Sequence, residues 1–403
     1  MGYFLSYLYR AVNAVLAPDL VRDLSLDAAV LGLLTSVYFF SFALFQLPLG
    51  VLLDRYGPRR VEFVLLLIAA LGAFIFARAE SETALIFGRA LIGLGVSACL
   101  MGAFKAYVMW FPKERLAMIN GLQMMAGSVG IVAAAQPVEF ALNFTDWRGI
   151  YLLLSCLTVL VAFLLLVFVP ERSRDDVEID AQTETIGESI RALGRIFTSP
   201  VFWSIAPVAA MSQAAFMSLH TLWAGPWLRD VAGMNRAQIA STLTWMAIAL
   251  IPTYAVVGWL ASWVSRFGVS TMTFCVTGML LFAGVQVILL FEPVSFAVPI
   301  WILFNVLATT AVLAYAVLSQ SFDASLSGRV ITACNALVFS SAFLFQYLAG
   351  VIINWRSDPA SETFSPIGYR DAIAFMVVLQ LIALLSYVLL QRRLKRAGKK
   401  TFE

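Results

Sequence analysis

The chain has 403 residues, 61% of them hydrophobic and 13% charged, with a formal net charge of +3 and one histidine. Soluble domains carry roughly 25% charged residues, so a water-soluble globular protein is excluded and lipid is the environment that can absorb this much apolar surface. Cys99, Cys156, Cys275 and Cys334 each stand alone in an apolar run, which excludes a disulfide framework or a cysteine metal site and reads as four buried thiols.

A membrane-spanning helix needs about 20 mostly apolar residues. By that ruler, spans fall near 3–20, 30–53, 61–79, 83–108, 117–141 and 148–170. Six more follow near 201–225, 238–264, 270–292, 296–320, 330–355 and 369–391. Inside lipid the backbone must satisfy its own hydrogen bonds, so the spans are helices. Their length and continuity exclude the alternating strands of an outer-membrane barrel. The first stretch has no basic residues ahead of it and no small-residue cleavage site, so it reads as a span and not as a secretory signal. The polar stretch from Glu171 to Thr198 divides the chain into six and six. Its second part, Ile186 to Phe197, suits either a helix on the membrane surface or a plain linker. The expected domains are a six-helix bundle at 1–170, a linker at 171–200, a second bundle at 201–391 and a basic tail at 392–403.

Lys and Arg set orientation, because they accumulate on the cytoplasmic side. With the N-terminus inside, seventeen fall in cytoplasmic segments, from Arg55, Arg59 and Arg60 through Lys113 and Arg115 to the tail beyond Arg392. Seven fall in the opposite loops, and Arg10, Arg89 and Lys105 remain inside spans, which accounts for all 27. Twelve spans with both ends cytoplasmic fit this split, and an odd count would put the basic tail outside.

The halves echo each other. After the second span comes Gly50-Val-Leu-Leu-Asp54-Arg55-Tyr-Gly57-Pro-Arg59-Arg60, and after the eighth comes Gly258 through Arg266-Phe-Gly268. Phe111-Pro-Lys113-Glu114-Arg115 precedes Asn120 in the fifth span, as Phe322 through Gly328-Arg329 precedes Asn335 in the eleventh. Duplicated six-span units are how many transporters are built. The Gly50–Arg60 segment resembles the signature of the major facilitator superfamily between spans two and three, with Pro58 where a base is commoner. Gly88-Arg89-Ala-Leu-Ile-Gly93-Leu-Gly95 resembles its fourth-span motif. The resemblance implies an all-α membrane protein of two pseudo-symmetric six-helix bundles. Gly50, Asp54, Arg55, Gly57, Arg59, Arg60 and Arg89 would then serve gating and structure. Tyr7-Leu-Tyr9-Arg10-Ala-Val-Asn13, with Lys105 before Trp110-Phe-Pro-Lys113, is similar to the anion:cation symporter and organophosphate:phosphate antiporter branches. There the span-one arginine and a fourth-span cation bind anionic substrates. Where the symporter branch often carries an acid before that arginine, this chain has Tyr9.

A cation inside a span is costly and therefore a functional candidate. Arg10 and Lys105 each lie some 10 Å in from the same side at 1.5 Å per residue, and an arginine fork with a lysine point charge suits a carboxylate or phosphate. The alternatives are snorkelling to the interface or pairing with an acid. Taken as part of one straight helix, Arg89 lies about 24 Å from Lys105 and is turned away from it, which favours a structural role. Asn13, Tyr7, Tyr38, Gln213, Asn305 and Asn335 are further polar or aromatic candidates for substrate contact, and Trp245 could line a cavity. Glu139 and His220 are the candidates for coupling, since a buried carboxyl or an imidazole can carry a proton. Glu139 could instead pair with Arg89, and His220 could be merely hydrogen-bonded. Met211 and Met217 near His220 read as apolar filler, and no metal site is expected.

No Walker-type loop or catalytic triad occurs, so neither ATP-driven transport nor an enzyme is expected, and no cofactor is needed. The sequence reads as a monomeric secondary transporter, its partners a small anionic solute, the lipid bilayer, and protons or a counter-anion, with no nucleic acid. An exporter of amphiphilic compounds and a non-transporting sensor or assembly factor are the alternatives. The short loops fit a bacterial inner membrane.

Overall fold

A computed structural model describes residues 1–169, 194–323, 326–358, 361 and 363–396, without the side chains of Leu47, Asp54, Lys113, Glu114, Ala117 and Ser327. Most of the expected linker, the end of the basic tail and the Asp54 carboxylate therefore lie outside the described residues. The described part is almost entirely helical, and helices are what long apolar runs must form in lipid. In chain order these are α1 (Gly2–Ala11), α2 (Asn13–Leu24), α3 (Ala28–Tyr56), α4 (Pro58–Ala77), α5 (Glu82–Gly95), α6 (Met101–Trp110), α7 (Lys113–Ala133), α8 (Gln136–Ala141) and α9 (Trp147–Phe168). There follow α10 (Pro200–Ser218), a π-helical turn (Leu219–Trp223), α11 (Ala224–Asp230), α12 (Arg236–Ser265), α13 (Thr271–Leu289), α14 (Ala297–Ala308), α15 (Leu313–Gln320), α16 (Ser327–Arg356) and α17 (Pro366–Arg396).

Among the described residues, ten helical stretches are long and apolar enough to cross a membrane. The first and fourth expected spans complete the twelve, and each is a pair of shorter helices, α1 with α2 and α5 with α6. The break in the fourth span corrects the straight-helix geometry expected for Arg89 and Lys105: residues 96–100 leave the helix, so neither the distance nor the angle follows from residue count. The break is buried and patched. Ser97 and Cys99 have almost no exposure, and Gln46 of α3 donates to the Ser97 carbonyl at 3.3 Å while Gln123 of α7 donates to that of Cys99 at 3.2 Å. Carbonyls freed at membrane depth need such partners.

Local chemistry fixes the other boundaries. Ser81, Asp146 and Ser270 cap α5, α9 and α13 by accepting from backbone N–H groups. Asn235 and Gln238 form a capping box on α12. Pro58 and Pro200 open α4 and α10, at the position where proline's missing N–H costs nothing. Gly57 has φ +77° and Gly268 φ +82°. The tight turns of the two echoing motifs are thus made alike, each by a left-handed residue that glycine supplies without strain.

The chain divides into two compact units, residues 1–26 with 37–190, and residues 27–36 with 191–403. In the first unit α4 crosses α5 closely. A methyl group on Gly88 would come 2.8 Å from the Gly72 carbonyl oxygen, and small residues at such crossings let backbones approach. In the second unit Gln286 of α13 and Gln380 of α17, both fully buried, exchange hydrogen bonds at 3.1 and 2.9 Å. The expectation of four buried thiols is corrected at Cys156, which is exposed on α9, whereas Cys99, Cys275 and Cys334 are buried. An isolated apolar run does not say which face of its helix looks inward.

Candidate functional site

In the first unit, the side chains singled out in spans one and two converge. Arg10 is buried, 6% exposed. Its guanidinium lies 4.5 Å from the Tyr7 ring centroid, 5.8 Å from that of Tyr38 and 5.7 Å from that of Phe42. Tyr7 and Tyr3 pack edge to face with their hydroxyls 3.2 Å apart. Tyr38 donates to the Ser6 carbonyl at 3.1 Å. Cation–π attraction stabilises a guanidinium among ring faces, and the arginine fork is a geometry that matches a carboxylate or phosphate.

Arg89 belongs to a different arrangement. It is 1% exposed and donates to the Tyr9 carbonyl at 2.8 Å and the Tyr151 hydroxyl at 3.3 Å, and Tyr151 donates in turn to Asn13 at 2.6 Å. The Tyr38 ring centroid lies 5.0 Å from the Arg89 guanidinium. The chain Arg89–Tyr151–Asn13 ties α5, α9 and α2 together, so Asn13 sits inside a structural network and Arg89 is engaged there, not with Glu139. Lys105 is half-buried on α6, beyond the broken turn. Glu139 is half-buried on the short helix α8, which the break at Ala134–Ala135 separates from α7.

In the motif after the second span, Arg59 donates to the Leu166 carbonyl and so joins α4 to α9. Arg55 lies over the Tyr56 ring. Gly57 makes the turn, and Gly50 has open space where a side chain would stand.

The second unit gathers polar side chains around the π-helical turn. π-Turns inside helices recur at functional sites. His220 lies in this turn, 4% exposed, stacked on Phe216 at 5.1 Å and facing the amide of Asn305 on α14. Among the described residues, His220 Nδ1 and Asn305 Oδ1 each lack a hydrogen-bond partner of good geometry, as do Ser218 Oγ and Gln346 Nε2. Gln346 accepts from Thr221 at 3.4 Å through its other amide atom. Buried polar atoms are nearly always satisfied, so these open valences single out the surroundings of the π-helical turn as a polar region of the second unit. Gln213 is half-buried on α10. Asn335 accepts from Tyr315 at 3.3 Å on α16. Trp245 is exposed on α12. The sequence marked His220 and Asn305 separately, but it gave no sign of Gln346 or Ser218. Nor did it mark Glu62, an 8% exposed residue on α4, although the third expected span, 61–79, contains it.

Residues 1–346 match the sequence pattern of the Major Facilitator Superfamily. The chain belongs to that superfamily. Among curated relatives, this superfamily member is 28% identical to the uncharacterized transporter YybO of Bacillus subtilis over 278 residues, 66% of this chain and 63% of that protein. It is 25% identical to the hexuronate transporter of the same organism over 57% of this chain and 55% of that one. It is 22% identical to the galacturonate transporter of Dickeya chrysanthemi over 64% of this chain and 77% of that one. It thus spans less than two thirds of the length of the first two. Among solved structures, a bacterial homologue of the human lysosomal transporter Spinster superposes with a TM-score of 0.77 at 18% identity, covering 97% of this chain and 95% of that one. A D-xylose-proton symporter gives 0.72 at 13% identity, covering 96% and 95%. At these identities the likeness is one of fold: twelve helices in an integral membrane protein.

Proposed function

We propose that the protein is a secondary transporter that moves a small organic anion by alternating access, with Arg10 as the principal ligand of the substrate's charge. The observation that carries this reading is the buried Arg10 guanidinium held among Tyr7, Tyr38 and Phe42 inside the first span. A cation is placed at such depth at a cost of a few kcal/mol, ring faces stabilise its charge, and a guanidinium is the side chain whose geometry matches a carboxylate. Relatives named for hexuronate and galacturonate support the carboxylate class. Lys105 adds a second positive charge. Within the second unit His220, Asn305, Gln213 and Asn335 are the polar candidates for solute contact, and Glu139 and His220 are candidates for coupling. Both chain ends lie on the cytoplasmic side, with the six-helix halves joined by the linker at 171–200.

A thermal-shift screen of the purified protein tests the reading, since a ligand that binds only the folded state raises its stability. Galacturonate, tartrate, phosphate esters, amino acids and hydrophobic cations form the panel. The expected result is stabilisation by a carboxylate, lost in Arg10→Ala and in Lys105→Ala while both variants stay folded. Stabilisation by hydrophobic cations alone, or anion binding that survives both substitutions, overturns it. Counterflow of the stabilising anion in proteoliposomes then separates a carrier from a protein that only binds.

A further inference from the structure

Glu62 is the fifth residue of α4 and lies within a membrane-spanning stretch. Its carboxylate fits between two glycines. A methyl group on Gly2 of α1 would come 2.5 Å from Oε1, and one on Gly102 of α6 would come 3.3 Å from Oε2. Any side chain at Gly2 would therefore displace the acid. Although it is 8% exposed, Glu62 has no hydrogen-bond or ion-pair partner among the described residues. The polar groups nearby are already used: Gln123 donates to the Cys99 carbonyl and accepts from Tyr107 at 2.8 Å. The titratable groups facing the carboxylate are the amino group of Met1 before α1, the Cys99 thiol in the broken turn and the Tyr107 phenol on α6. α3 presents the apolar Leu53.

An ionised carboxylate in this setting has lost its water, and the Met1 amino group that faces it makes no ion pair with it among the described residues, an arrangement proteins avoid. Of the small species that could neutralise it, a metal cation needs several oxygen ligands. Among the described residues no group of three or more His, Cys, Asp or Glu comes together. A proton needs one oxygen. Glu62 also lies beside the first residues of α1, eight positions before Arg10, which is about 12 Å along the helix. Motion of α1 that accompanies filling of the Arg10 cage would open or close the surroundings of the acid.

We propose that Glu62 is the proton-binding carboxyl through which a proton gradient drives this protein, taking up one proton as a neutral acid in one conformation and returning it to water in the other. The proposal rests on reading the chain as a transporter. No bond other than the carboxyl O–H forms or breaks.

The test uses the full chain reconstituted in lipid. Infrared spectra recorded from about pH 5 to about pH 9 report the carbonyl stretch of a protonated carboxyl. The expected result is a band that grows as pH falls, is absent in Glu62→Gln and reappears at a changed frequency in Glu62→Asp. In proteoliposomes with galacturonate as the probe, an inward acid gradient should drive accumulation in the parent. Glu62→Gln should retain counterflow but lose accumulation, and Glu62→Asp should recover part of it. A Glu62-dependent band that never responds to pH, or undiminished accumulation in Glu62→Gln, overturns the proposal. Absence of galacturonate exchange in the parent would count against the carboxylate reading, and the infrared titration would still decide whether Glu62 exchanges a proton.

Discussion

Replacing Gly88 by alanine probes how closely α4 and α5 approach, and with it the placement of Arg89 on the next residue. The added methyl would lie 2.8 Å from the Gly72 oxygen, 2.9 Å from the Phe76 nitrogen and 3.2 Å from its Cα. All three are backbone atoms, so no rotamer change relieves the clash and the helices must part. Overpacking of this kind costs about 1–3 kcal/mol, offset by the roughly 1 kcal/mol that alanine gains over glycine in a helix. Gly284, in the interior of α13, has nothing within 4 Å of its would-be methyl, so Gly284→Ala collects the propensity gain alone. The difference between the two variants isolates the steric effect, and Gly88→Ala should be the less stable by about 1–3 kcal/mol. Detergent-denaturation curves followed by tryptophan fluorescence measure it, and Trp147, packed 5.8 Å from Phe76, reports on the affected crossing. Equal stability to within about 0.5 kcal/mol, the ordinary scatter of surface substitutions, would refute the close-crossing argument.

The same assay reads three further expectations. Gln286→Leu and Gln380→Leu should each cost about 1–3 kcal/mol, because each strands a buried amide, while the double variant should be nearly neutral; additive losses would count against the pairing. Gly57→Ala and Gly268→Ala should each lose about 1–2 kcal/mol through the left-handed backbone, and insensitivity at either would show that its turn relaxes. Arg89→Ala should lose on the order of 2–4 kcal/mol through its two hydrogen bonds, with Tyr151→Phe losing less. A stable Arg89→Ala variant would free Arg89 from the structural role given to it.

Hydropathy carried the span count, since a run such as 330–355 has no soluble alternative, and the paired turns at Gly57 and Gly268 were visible as matching motifs. The broken fourth span was not. Val96 to Leu100 is as apolar as its flanks, and what opens the helix there is the supply of donors from Gln46 and Gln123, some 50 and 24 residues away. Tyr7 and Arg10 were marked in one motif and Tyr38 apart from it, and only the packing of α3 against α1 makes them one cage. The approach of His220 to Asn305 depends on helices far apart in sequence. Glu62 was not singled out although it lies inside the expected third span, because a ruler of hydropathy cannot tell a carboxylate facing lipid headgroups from one enclosed between two glycines.

The glutamine patch on the fourth span also bears on how the chain is made. Gln46 precedes the break and is in place when α5 and α6 enter the bilayer, but Gln123 is translated after Cys99, whose carbonyl it satisfies. The fourth span must therefore leave the ribosome incomplete and wait for α7, so the first four spans alone are not a finished folding unit. Until the fifth span arrives, the Cys99 carbonyl is without the donor that Gln123 supplies in the finished half.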